Sequence, residues 1–129
     1  MQRSLRDETT ETIKLITEKL INFQGNDRLT KLHDQLMNAA IRPEETNGNI
    51  ALFDLKGPDT QFDASSPLDV EGRLTDTSGN RLHAIVYLDG SGDLLALEVF
   101  PWDQWTHAID VAGLGPVKYD DQGVSRPGN

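Results

Sequence analysis

The chain contains no cysteine, which excludes disulfides, thiolate nucleophiles and every zinc pattern built on cysteine. Aromatic residues are few, 6% of the chain, and no apolar run approaches the roughly 18 residues that a membrane-crossing helix needs. Positive charge is the other shortage: 12 Lys and Arg stand against 21 Asp and Glu, a net of −9. A surface of that sign repels nucleic-acid phosphates and anionic lipid, both of which are bound through Lys and Arg. Neither nucleic acid nor a membrane is therefore an expected partner. Residues 1–12 are polar and charged, without the apolar stretch of a secretory leader, and a cytoplasmic location is the expectation. What remains is 129 residues, enough for a single domain with one core.

The acidity is unevenly spread. Residues 1–47 carry 7 basic and 8 acidic side chains, whereas residues 48–129 carry 5 basic and 13 acidic ones, 11 of them Asp. A carboxylate-rich surface steers a basic protein and speeds its encounter. Acidity of this size also serves solubility, so the choice rests on where the carboxylates stand.

Hydropathy patterning divides the chain into a helical part and a sheet. Ile13, Ile16, Leu20 and Phe23 follow the three-and-four spacing of one helix face, with Leu15 and Ile21 widening the stripe. Asp7 or Thr9 caps the start, and Gly25 ends the helix. A second helix, with Asp27 as its N-cap, has Leu29, Leu32, Leu36 and Ala40 inward and stops at Pro43. The expected helices span about 8–24 and 28–40, and the expected strands 49–56, 68–75, 81–88 and 94–100. Two pentads punctuate the last three strands, Asp76-Thr77-Ser78-Gly79-Asn80 and Asp89-Gly90-Ser91-Gly92-Asp93, and both have hairpin-turn composition. The fold class is α+β, an N-terminal antiparallel helix pair packed on one face of a four-stranded, mainly antiparallel sheet. Residues 117–129 read as a loose tail.

A trial register closes the second hairpin with a three-residue loop, so that Leu88 faces Leu94, Val86 faces Ala96 and Leu82 faces Phe100. Across the first hairpin, Leu74 faces Leu82, Gly72 faces Ala84 and Val70 faces Val86. These residues form an apolar face for the helices, with Glu98 as its single charge. His83, Ile85 and Tyr87 then look the other way, beside Asp69, Glu71 and Arg73. The apolar half of that second face needs a cover, and the segment from Trp102 to Leu114 is the favoured one. A second copy of the chain, which leaves a homodimer open, or another protein is the alternative.

Catalytic patterns are missing. Gly90-Ser91-Gly92 is not a nucleophile elbow, because no strand-to-helix step follows it, and no glycine-rich phosphate loop is present. Asp89, Ser91 and Asp93 begin like a calcium loop, but Leu94 and Phe100 stand where that loop needs glycine and an acid. His33, His83 and His107 lack the paired spacing of a zinc protease, and His33 reads as a solvated helix residue. Neither an enzyme nor a cofactor is expected.

The run Thr75-Asp76, Gly79, Leu82, Val86-Tyr87-Leu88-Asp89, Gly92-Asp93-Leu94-Leu95-Ala96-Leu97-Glu98-Val99-Phe100 and Asp103 resembles a group of small bacterial domains of unassigned function. These have two helices followed by strands. More loosely, the chain is similar to the small acidic immunity proteins that neutralise bacterial toxins. That resemblance implies a cytoplasmic, non-catalytic inhibitor covering the basic active site of a cognate toxin, for instance a nuclease. Such proteins share no functional motif, so the candidate contact residues come from this sequence alone. Asp69, Glu71, Asp89, Asp93, Asp103 and Asp110 form an acidic rim, with Tyr87, Trp102 and Trp105 as apolar anchors. The competing reading is a small-ligand or metal-binding domain with Glu98, His83 and Tyr87 around a hollow, and the trial register opposes it by placing Glu98 and His83 on opposite faces.

Overall fold

A computed structural model describes residues 7–24, 29–44, 48–55, 57, 62, 67–101 and 109–119. Helix α1 spans Asp7–Gln24 and helix α2 spans Leu29–Asn38. Ile13, Ile16, Leu20 and Ile21 of α1 are buried, as are Leu32 and Leu36 of α2, and each contributes about 2 kcal/mol by leaving water. Leu15 is the exception to the expected stripe, for it is half exposed. The helices pack on each other, and His33 near the start of α2 meets the amide oxygen of Asn22 near the end of α1. His33 thus ties the two helices while staying partly exposed to solvent. The second helix ends at Asn38, five residues before Pro43. Asn38 Nδ2 donates to the Asp34 carbonyl at 2.8 Å, and Ala39 rather than the exposed Ala40 takes the inward position. Gly25 and Asp27 lie outside the described residues.

The sheet has six strands rather than the four expected: β1 Ile41–Pro43, β2 Ile50–Phe53, β3 Pro67–Asp76, β4 Arg81–Leu88, β5 Leu94–Pro101 and β6 Val117–Tyr119. Their order is β1-β2-β5-β4-β3-β6, every described pairing is antiparallel, and the sheet curls into half a barrel. The two additional strands are the edges, three residues each. Pro43 stands on edge strand β1, where its missing N–H costs least. Val117–Tyr119, read from sequence as tail, pairs with Leu74–Asp76 of β3. All four residues of β2 are buried, because the helix-side core covers Ala51 and Phe53 while Ile50 and Leu52 pack on the opposite face.

Both pentads close in the same way. Asp76 Oδ1 accepts from the backbone N–H of Ser78 and Asn80 at 2.9 and 2.8 Å, and Asp89 Oδ1 accepts from Ser91 and Asp93 at 2.8 and 3.0 Å. In each turn the glycine is left-handed, φ +88° at Gly79 and +83° at Gly92, a conformation that glycine adopts without a Cβ clash.

The β4–β5 register differs from the trial one. Leu88 does face Leu94, but Tyr87 faces Ala96, so Leu95 is an extra residue and forms a β-bulge. Beyond it every β5 side chain changes face. Leu97 and Val99 join Leu82, Ala84 and Val86 in the helix-side core, whereas Ala96, Glu98 and Phe100 turn to the other side. On β3, Leu74 faces Leu82 and Gly72 faces Ala84 as expected, and a second irregularity lies between Pro67 and Glu71. Helix α1 lies over β3 and β4, and α2 meets β5. The 3-10 turn Val111–Gly113 and Leu114 close the same core. Buried Thr9 of α1 is satisfied there by donating to the Leu114 carbonyl at 2.7 Å.

Candidate functional site

The bulge adds Glu98 to the polar residues of the second sheet face. Read across the strands, one row is Arg73, His83 and Phe100. The next is Glu71, Ile85, Glu98 and Ile50, and a third runs Pro67, Tyr87, Ala96, Leu52 and Arg42. His83, Tyr87 and Glu98 therefore share a face, which corrects the trial register that separated them. Tyr87 Oη donates to Glu98 Oε1 at 3.0 Å. Burial, then that hydrogen bond and the carboxylate charge, pushes the phenol up to about 12. The His83 ring stacks on Phe100 at 5.1 Å between centroids, and burial lowers its affinity for a proton.

The apolar half of this face is already covered. Ile50, Leu52, Tyr87, Leu95 and Ala96 are buried, and Phe62 sits edge-on to the Tyr87 ring at 5.0 Å. Residues 109–114 do not provide that cover, since Val111 and Leu114 enter the helix-side core instead. Tyr87, 8% exposed and hydrogen-bonded, is a core residue rather than a projecting anchor.

The expected acidic rim divides into what structure uses and what it leaves. Asp89 holds its own turn. Asp93 Oδ1 is gripped by Gln35 Nε2 at 2.9 Å and Lys31 Nζ at 2.8 Å, and Gln35 Oε1 accepts from the Leu94 N–H. Asp110 is exposed and caps the 3-10 turn, accepting from Ala112 N–H at 3.0 Å. These three carboxylates have local duties. Asp69 and Glu71 lie on β3, but their side chains lie outside the described residues, as do Trp102, Asp103, Trp105 and His107. Asp54 and Arg42 form a partly buried pair at 2.6 Å.

The acids without such duties stand elsewhere. Glu8, Glu11 and Glu18 are exposed on α1 at positions that, with half-exposed Leu15, repeat at i, i+3, i+7 and i+10, one face of the helix. This face lies opposite the buried Ile13, Ile16 and Leu20. Glu8, Glu11, Thr12 and Leu15 line a groove of about 370 Å³ together with Pro116 and Val117. Sequence reading missed it because residues 1–47 are nearly neutral in sum. The signal was the spacing of acids around Leu15. Among the described residues no three His, Asp or Glu side chains gather as a metal would require, and no helix is long and apolar enough to cross a membrane.

No protein family, curated protein or solved structure matches the chain significantly.

Proposed function

We propose that this chain is a non-catalytic acidic binding protein that neutralises a basic protein, in the manner of toxin-immunity proteins covering a toxin's active site. The observation that carries this reading is the unneutralised charge. Were every Lys and Arg paired with a carboxylate, the difference between 21 acids and 12 cations would still leave nine carboxylates without a cation. Such a surplus costs self-repulsion in the folded state, and a cationic partner relieves it. The exposed acids of α1 support the reading further. Asp69, Glu71, Asp103, Trp102 and Trp105 remain contact candidates on sequence grounds, while Asp89, Asp93 and Asp110 are weaker ones because the fold already uses them. The test is co-expression with the product of the adjacent gene. The expected result is a stoichiometric complex and protection from that product's toxicity; a toxic neighbour that kills despite this protein overturns the reading.

A second reading has one observation in its favour. His83, Tyr87 and Glu98 share a sheet face, the condition that a small-ligand site there requires. A thermal-shift screen with metal ions and small ligands tests it. A shift that Glu98→Gln abolishes supports the site, and no shift with any of them removes it.

A further inference from the structure

Resting on the acidic-binder reading, we infer that the groove between α1 and the start of β6 at Pro116 and Val117 is the docking site for a basic amphipathic segment of the partner protein. The groove has two kinds of wall. Leu15, Pro116 and Val117 supply an apolar strip, and Glu8 and Glu11 supply carboxylates along one side. Leu15 is 50% exposed, one of two large hydrophobic side chains so exposed among the described residues. Acids near a helix start also answer the helix dipole. That accounts for Asp7 and Glu8 in the first turn, but not for Glu11 beyond it, nor for an aliphatic side chain held in water beside the acids.

The occupant follows from charge complementarity. An arginine or lysine lays its aliphatic stem on an apolar strip while its cation reaches a carboxylate, and neighbouring leucine-like side chains fill the rest. The volume lies within the ordinary range for binding clefts, about 300–1,000 Å³, and accommodates a few side chains rather than a whole domain. Lys14 and Lys19 border the acidic face of α1 but do not line the groove. Phosphate-bearing partners are disfavoured by the same carboxylates.

The experiment is an amide-resolved NMR titration of the full chain with a synthetic peptide carrying arginine and leucine at helical spacing. A scrambled peptide of the same composition is the control. The expected result is saturable shifts centred on Thr12, Leu15 and Val117, stronger for the patterned peptide. Affinity should fall about tenfold in the Glu8→Gln/Glu11→Gln double variant, the sum of two partly exposed ion pairs. A Leu15→Asn variant, altered at an exposed position, should weaken binding to a similar degree. Equal binding of the scrambled peptide, or shifts centred elsewhere, overturns the groove. If the adjacent-gene protein binds normally to the double variant, the groove fails and the binding function stands. If the peptide seats but no toxic neighbour is neutralised, the function fails and the groove stands.

Discussion

Tyr87 and Glu98 meet diagonally across β4 and β5, phenol to carboxylate at 3.0 Å, although their backbones are not register partners. Tyr87 faces Ala96, and Glu98 faces Ile85. The contact exists because Leu95 bulges out of the ladder and turns Glu98 away from the helix-side core. Without the extra residue the carboxylate would point under the helices, where burying it would cost several kcal/mol unless a partner came with it.

Removing the hydroxyl tests that relationship. Tyr87→Phe should cost about 1 kcal/mol of folding stability, a modest figure because Glu98 is only half buried. Urea unfolding measures it. Absorbance titration should show this phenol ionising near 12, well above the ordinary tyrosine range. Because the folded state holds the proton more tightly than the unfolded one, stability is retained below about pH 10 and lost as pH rises toward the folded value. Ionisation at the ordinary value in the native protein would mean that the contact is not made in solution.

His83 acts in the opposite direction. Burial lowers its proton affinity when folded, so its contribution is intact above the ordinary histidine pKa, about 6.5, and is lost as pH falls below it. Melting temperature should therefore decline on acidification from pH 7, and His83→Gln should flatten that decline. An unchanged slope in the variant would assign the acid sensitivity to other groups.

Arg42 and Asp54 tie edge strand β1 to the end of β2 at 2.6 Å, with side chains 16% and 10% exposed. Breaking the pair by Asp54→Asn or Arg42→Met should cost about 3 kcal/mol, since each leaves a poorly hydrated charge or dipole behind. The double replacement Arg42→Met/Asp54→Leu should recover most of that loss. A double-variant loss equal to the sum of the two single losses in urea unfolding would deny the coupling.

The twin turns should respond alike. Gly79→Ala and Gly92→Ala each force a Cβ into left-handed backbone and should cost about 1–2 kcal/mol. At Gly79 nothing lies within 4 Å of the added carbon, so the penalty there is conformational. Asn in place of either glycine should be milder, because it tolerates that region better. Thermal unfolding separates the alanine from the asparagine variants, and equal losses for both would deny that the cost is conformational.

The helices and hairpins were legible in the sequence because single residues dictate them. Ile13, Ile16 and Leu20 mark one helix face, and Asp-x-Ser-Gly pentads impose the same two turns at 76–80 and 89–93. The bulge was not, because Leu94, Leu95, Ala96 and Leu97 are all apolar and offer no alternation to fix a register. The edge strands Ile41–Pro43 and Val117–Tyr119 are too short to show a period, and they form by pairing with strands already in place. The acids were the hardest to read. Composition counts a carboxylate the same whether it caps a turn, as Asp89 does, or stands in water, as Glu11 does. Only the folded arrangement separates Asp93, held by Gln35 and Lys31, from the face formed by Glu8, Glu11, Leu15 and Glu18.

Calorimetric titration with the product of the adjacent gene tests most directly whether the acid surplus serves a cationic protein. Run at about 50 mM and about 500 mM salt, conditions that shorten the Debye length severalfold, it should show a one-to-one complex that weakens at least about tenfold at the higher ionic strength. No complex, or an affinity indifferent to salt, would contradict the claim.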